Sequence, residues 1–286
     1  MLNKTTKESQ WDFIIEPSGG PLSIGVREIF RYRDLLFLFV KRDLIAVYKQ
    51  TILGPIWYFI QPILTTITFA VIFGNLAGIS TDGVPQILFY LAGVTIWNYF
   101  NETFTQTSKT FIDNAQIFGK VYFPRLVLPL SKVLSNLAKF FIQLGLFLVV
   151  LVIYVLLGKD VHPNYFMLFT PILVLMMGGL GLGFGLISSS LTVKYRDLTF
   201  LITFGVQLLM YATPVIYPLN SISENYQLLL WLNPLTSIIE FFKYAYLGSG
   251  LVSYFWLTYS LLFTISLLIL GAMIFNKVEK SFIDTV

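Results

Sequence analysis

Hydrophobic residues in this chain gather into six long runs separated by short polar breaks. They cover roughly 53–77, 84–104, 134–157, 167–191, 199–217 and 254–275, each with about the 20 residues a helix needs to cross a bilayer. Before the first run the pattern differs. Arg33–Pro62, read RDLLFLFVKRDLIAVYKQTILGPIWYFIQP, starts charged and becomes apolar without a linker. Arg33, Asp34, Lys41, Arg42, Asp43 and Lys49 are interleaved with Leu35, Leu36, Leu38, Phe39, Leu44, Ile45 and Val47. Apolar residues at three- and four-residue steps predict a helix in the headgroup layer, its basic stems reaching toward phosphate. Gly54-Pro55 turns the chain, and Trp57 and Tyr58 stand where an interfacial aromatic belt belongs. Two readings stay open for this segment. It is a charged lead-in to a first span, or an in-plane helix that positions a partner or a lipid-borne anionic substrate.

Composition excludes a soluble domain. The 286 residues are 56% hydrophobic and 12% charged, with 27 Phe, and mean hydropathy is +0.75. Residues 1–32 are polar and hold no apolar run long enough for a cleavable signal peptide. With no cysteine, disulfides, thiolate metal sites and cysteine nucleophiles are ruled out. The net charge of +4 implies no nucleic-acid partner, because what matters is its distribution across the membrane.

That distribution sets an expected orientation. Of the 19 basic residues, 17 fall before the first run, between runs two and three or at the start of run three (Lys139), between four and five, or after six; only Lys159 and Lys243 do not. The positive-inside rule then places both termini in the cytoplasm. The expected fold is all-α and integral to the membrane. Residues 1–52 form a cytoplasmic segment with an amphipathic interface helix, 53–275 a six-span transmembrane domain, and 276–286 a cytoplasmic tail.

Residues 225–250 test the orientation. The segment is apolar, but Asn233-Pro234 interrupts it and Glu240 and Lys243 sit in its second half. As a full span it would put Lys277 and Lys280 outside. Two half-helices that dip in and return on the outer side preserve the asymmetry, and irregular backbone at that depth needs protein or water around it. A re-entrant outer hairpin between spans five and six is therefore expected, with a peripheral surface hairpin as the alternative.

Within the inner loop 106–133 lies Phe118-Gly119-Lys120-Val121-Tyr122-Phe123-Pro124-Arg125, aromatic and cationic together. It reads either as a short helix docking into a groove on a soluble partner or as interfacial anchoring of span three. Span four carries Gly178, Gly179, Gly181, Gly183 and Gly185. The pairs Gly179/Gly183 and Gly181/Gly185 are small-xxx-small spacings for close helix packing. No strand precedes them and no Gly-Lys-Ser/Thr follows, so they are no phosphate loop. A Walker A pattern is missing throughout. His162, the single histidine, sits beside Pro163 in a short outer loop, and Glu102, Asp113 and Asp197 fall near inner span ends, where solvated caps are the default. The spans lack the carboxylates of proton-coupled transport, so driving energy has to come from another polypeptide.

Several motifs, in collinear order, resemble the permeases of type-2 ABC exporters of polysaccharide, which carry O-antigen, capsule or teichoic acid. They are Arg31-Tyr32-Arg33-Asp34-Leu35-Leu36, Arg42-Asp43-Leu44, Tyr48-Lys49-Gln50-Thr51 with Leu53-Gly54, Gln61-Pro62, Phe123-Pro124-Arg125 and Lys194-Tyr195-Arg196-Asp197. Pro214-Val215-Ile216-Tyr217-Pro218, Leu232-Asn233-Pro234 and Glu279-Lys280-Ser281-Phe282 continue the match, and Glu16-Pro17-Ser18-Gly19-Gly20 leans toward the O-antigen branch. Ala46-Val47 departs from it, standing where many relatives place an arginine.

The resemblance implies a homodimer in the bacterial inner membrane, bound to two cytoplasmic ABC ATPase subunits. ATP and Mg would be bound by those subunits; this chain would carry no cofactor and no catalytic residue. The substrate would be a glycan linked through diphosphate to a polyprenol. Arg33–Thr51 would be the interface helix, and Phe118, Lys120, Tyr122, Phe123 and Arg125 would couple to the ATPase. Asn233, Pro234, Glu240 and Lys243 would belong to an outer gate. Rival readings are a type-2 exporter of another substrate, such as a lipid or drug, and a membrane enzyme of polyprenyl-phosphate glycan assembly.

Two further groups of residues follow from spacing and charge. Trp57, Gln61, Thr65 and Thr68 share one stripe of span one, and Phe200, Phe204, Gln207 and Tyr211 one stripe of span five. Aromatic rings with interspersed amides suit a sliding sugar chain, although helix packing accounts for such stripes as well. Lys41, Arg42 and Lys49 would attract a lipid diphosphate or ordinary anionic headgroups, each nearby cation contributing about 1 kcal/mol.

Overall fold

In the computed structural model, which describes residues 26–49, 54–118 and 123–283, the regular elements are all helices. Two short amphipathic helices come first, α1 (Val26–Arg31) and α2 (Arg33–Lys49). Tyr32 joins them, its N–H still reaching the Glu28 and Ile29 carbonyls. The segment expected to lie at the interface is thus helical, and its buried residues show what holds it to the rest of the chain. Leu36 and Phe39, three positions apart, are buried with Phe123, Val127 and Leu128. An aromatic or aliphatic side chain buried this way contributes about 1.5–3 kcal/mol.

A tight turn at Gly54–Ile56, with Gly54 at φ 53°, leads into α3 (Trp57–Phe69). The helix then widens to a π-type coil over Ala70–Leu76. At Gly74 a side chain would strike Gln86, so the widened coil lies directly against the next helix. That helix is α4 (Gln86–Ser108), buried without interruption from Leu88 to Trp97. Two single turns follow, α5 (Thr110–Asp113) and α6 (Ala115–Phe118), then α7 (Val127–Leu156). Much of the 106–133 segment expected as loop is therefore helical, and α7 starts seven residues before the expected span at 134. Pro129 falls in its first turn, where a missing N–H costs nothing.

A short 3₁₀ turn at Tyr165–Phe169 precedes α8 (Thr170–Thr192), which is wedged between α4 and the last helix, α12 (Tyr254–Ile283). Its glycines divide between two faces. Side chains at Gly178, Gly181 and Gly185 would strike Tyr99, Thr103 and Thr107 of α4, while at Gly179 and Gly183 they would strike Thr264 and Leu267 of α12. The packing role expected for the glycines is what the structure shows, serving two neighbours at once.

Between α8 and α12 come α9 (Leu198–Tyr211), α10 (Glu224–Trp231) and α11 (Pro234–Leu247). The run expected at 199–217 is helical only to Tyr211. Pro214 disfavours helical backbone at Thr213, so the chain leaves the helix there. With 14 residues, α9 is about 21 Å long, short of a hydrocarbon core of about 30 Å. Among the described residues, four helical segments are long and apolar enough to cross a membrane: Gly54–Leu76, Val127–Leu156, Tyr165–Thr192 and Tyr254–Val278. In α4 the length suffices, but its last turns, from Asn101 to Ser108, are polar. The protein is an all-helical, multi-pass membrane protein. Of α11, every residue except Tyr244 is buried against the bundle.

Candidate functional site

The two aromatic and amide stripes are on the surface of the single chain. Trp57, Gln61 and Thr68 on α3 are exposed and Thr65 is half-buried; on α9, Phe200, Phe204, Gln207 and Tyr211 are all exposed. The buried residues of α3 are Pro62 and Thr66, off the stripe, while Phe59, Ile63, Leu64 and Ile67 are exposed along with it. Helix α9 is seated lightly, on α4 and α8, with Val206 as its one buried residue. Exposed amides in a helix of this apolarity are costly against lipid alone. Both stripes are available to a second copy or to a polar solute.

At the α2 end of the bundle the charged residues are largely paired. Arg42 binds Asp43 at 2.9 Å and stacks on Phe39, its guanidinium carbon 4.8 Å from the ring centroid. Lys132 of α7 binds the other oxygen of Asp43 at 2.7 Å. Asp43 thus bridges α2 to α7. Of the three cations assigned to anionic headgroups, Arg42 is partly occupied by this bridge, whereas Lys41 and Lys49 point to solvent. Two turns further along α7, Lys139 binds Glu102 of α4 at 2.6 Å, with its ammonium 6.0 Å from the Tyr58 ring centroid. Asn98 and Gln143 meet one turn beyond, at 3.4 Å. The solvated cap expected at Glu102 is instead one half of a seam between α4 and α7. Its only signal was a lysine inside a strongly apolar run.

Among the aromatic and cationic residues assigned to coupling, Lys120 and Tyr122 lie outside the described residues, and Phe118 closes α6. Phe123 is buried, its ring 5.8 Å from Phe39, and Arg125 is buried as well. Phe123 therefore holds α2 against α7 and is not itself presented to a partner.

The four residues assigned to an outer gate gather around α11, at the opposite end. Asn233 caps α11 by accepting the Leu235 N–H at 3.1 Å, and Pro234 is the first helical residue, where its ring fits. Asn233 Nδ2 also donates to the Ala212 carbonyl at 3.2 Å and to Thr213 Oγ1 at 3.0 Å. Lys243 Nζ donates to the Pro214 carbonyl at 2.6 Å and to that of Val215 at 3.3 Å, over the Phe89 ring at 3.6 Å. Glu240 Oε2 accepts the Leu251 N–H at 2.9 Å. Glu240 and Lys243 are each only 1% exposed, which places two ionisable side chains inside the protein, one turn apart on α11. No group of three or more His, Cys, Asp or Glu suited to a metal occurs among the described residues.

The sequence profile of the ABC-2 type transporter family matches residues 34–247. The chain is 31% identical over 221 residues to the O-antigen export system permease protein RfbA of Myxococcus xanthus, covering 76% of this chain and 82% of that one. It is 28% identical over 252 residues to a Klebsiella pneumoniae protein of the same name, covering 88% of this chain and 94% of the relative.

Proposed function

The chain belongs to the ABC-2 type transporter family, and on that premise we propose that it is the membrane permease of an ATP-driven exporter of O-antigen. The observation that carries the substrate class is near-full-length similarity to relatives named as O-antigen export permeases, from two distant organisms. In this reading the polymer travels as a polyprenyl-diphosphate-linked glycan across the bacterial inner membrane. Two copies of the chain form the pathway, and two cytoplasmic ATPase subunits, which bind ATP and Mg, drive it.

Six spans then correspond to α3 with its widened end, α4, α7, α8, α9 and α12. Both termini are cytoplasmic, and α10–α11 form a re-entrant hairpin on the outer side. The burial of α11 supports that arrangement, because a peripheral hairpin would leave one face in water. The short α9 fits it too: the remaining membrane thickness is crossed by the 212–219 link, which is held by protein groups on α11 rather than facing lipid. The exposed stripes of α3 and α9 are the surfaces offered to the glycan between two copies. Flat rings give apolar contact with sugar faces, and Gln61 and Gln207 give exchangeable hydrogen bonds without a tight site. The basic residues Lys41, Arg42 and Lys49 meet the lipid diphosphate at the cytoplasmic entry, and residues 118–125 transmit ATPase movement to the bundle.

Deletion of the chain in its own bacterium tests this reading. Surface O-antigen is expected to vanish and lipid-linked glycan to accumulate on the cytoplasmic side, with both restored by the chain together with its ATPase. Loss of a different surface polymer with O-antigen intact would overturn the substrate assignment.

A further inference from the structure

We propose that Asn233, Glu240 and Lys243 form a latch that fastens the exit of α9 to α11, so that α9's outer end and the hairpin move as one body when the pathway opens. The proposal rests on the exporter reading above, which supplies the hairpin and the path along α9.

The latch is visible in where the link after α9 finds its hydrogen-bond partners. Four consecutive residues, 212 to 215, are each held by a side chain of the α11 segment. Asn233 takes Ala212 and Thr213, and Lys243 takes the carbonyls of Pro214 and Val215. Non-helical backbone at membrane depth cannot turn to water for these bonds, so separating the link from α11 would strand carbonyls and an ammonium together.

Glu240 holds the other exit of α11. Glu240 Oε2 accepts the Leu251 N–H, just before α12 begins. That approach depends on Gly250, at φ 132°, where an added Cβ would lie 3.0 Å from the Glu240 carbonyl oxygen. Gly93 plays the matching part on α4, since a Cβ there would stand 2.7 Å from the Val215 carbonyl that Lys243 binds. Both close approaches leave room for backbone but not for a side chain.

By contrast, the body of α9 has little to hold it. Val206 is its single buried residue, and Phe200, Leu201, Phe204 and Leu208 face outward. Helix α11 has its own bonds to its neighbours, Ser237 to Ser260 of α12 at 2.7 Å and Tyr246 to Thr170 of α8 at 2.9 Å, and the Phe89 ring of α4 lies against Lys243. The link at 212–215 is thus fastened to α11 by side-chain bonds, while the body of α9 is held by little else. Outward movement of the hairpin therefore draws the pathway stripe of α9 with it.

The chain has no cysteine, so a covalent latch can be placed where the natural one sits. Thr213→Cys with Asn233→Cys, assembled with the ATPase in native membranes, is bridged by a short bis-methanethiosulfonate and compared with its own reduced form. Export of surface glycan is expected to stay within about twofold on bridging. A loss of about tenfold or more, with ATP hydrolysis continuing, would show that α9 and the hairpin separate during transport, and would overturn the latch. In the same background, Lys243→Met is expected to lower export while the thiols are reduced, and bridging is expected to restore it. Export that is unaffected by Lys243→Met, or lost and not restored by the bridge, would overturn it as well. Failure of the exporter reading shows separately, as normal surface glycan when the whole chain is deleted.

Discussion

Lys139 and Glu102 face each other at 2.6 Å across the seam between α7 and α4, with side chains 13% and 25% exposed. The partial exposure decides what the pair is worth. Surface pairs contribute about 0–1 kcal/mol, whereas stranding one charge of a buried pair costs about 3–5 kcal/mol. This pair lies between those limits, and it sits beside Tyr58, at the start of the helix that carries the Trp57 stripe.

Glu102→Gln is therefore expected to destabilise the assembled protein by about 1–3 kcal/mol, because Lys139 keeps its charge and loses its partner. The measurement is thermal unfolding of the detergent-purified complex. The exchange Glu102→Lys with Lys139→Glu should recover most of the loss. If the exchange is as damaging as the single change, something other than the mutual attraction holds the seam.

Phe123→Ala should loosen α2 from α7 before it affects anything else. The ring is buried against Phe39 beside Val127 and Leu128, and emptying such a site costs about 3–5 kcal/mol. Hydrogen exchange is expected to rise across Arg33–Lys49, with α8 unchanged. Tyr122→Ala is expected to leave that exchange as it was and to uncouple ATP hydrolysis from export. Increased exchange in both variants would remove the distinction between support and coupling.

Orientation can be read with single cysteines. Asp82 and Asn220, which are exposed and linked by a 3.1 Å hydrogen bond, should react with an impermeant reagent from outside, as should Ser249. Lys120, Tyr195 and Phe282 should react only after the membrane is opened. Labelling of Phe282 in intact cells would reverse the proposed topology.

The pathway makes a paired prediction at Trp57 and Tyr211. Large rings can close a resting path by filling it and disfavouring water. Trp57→Ala and Tyr211→Ala should raise ion conductance in planar bilayers and lower glycan export while the complex stays assembled. Gln207→Leu keeps bulk and deletes the amide, so export should fall more than closure weakens. Tight, normally exporting Ala variants would assign both stripes to lipid or to helix packing.

Much of this protein is legible from local pattern alone. Apolar runs of spanning length and the three- and four-residue spacing of Arg33–Lys49 determine a helical membrane protein with an amphipathic leading helix. Helical periodicity also separates the face of α3 with Pro62 and Thr66 from the face with Trp57 and Gln61, because side-chain direction follows residue number within one helix. What lay outside its reach depends on which helix stands beside which. The bond between Lys139 and Glu102 spans 37 residues and that between Lys132 and Asp43 spans 89, and neither helix shows its partner. The same holds for Phe123, which reads as an exposed anchor until α2 is seen to cover it. Glu240 and Lys243 look like polar interruptions in an apolar stretch, yet they are buried because the links at 212–219 and 250–251 bring unpaired carbonyls and amides to them. Hydrogen-bond demand left by a broken helix is created only when the chain folds back on itself, and the residues that answer it lie elsewhere in the sequence.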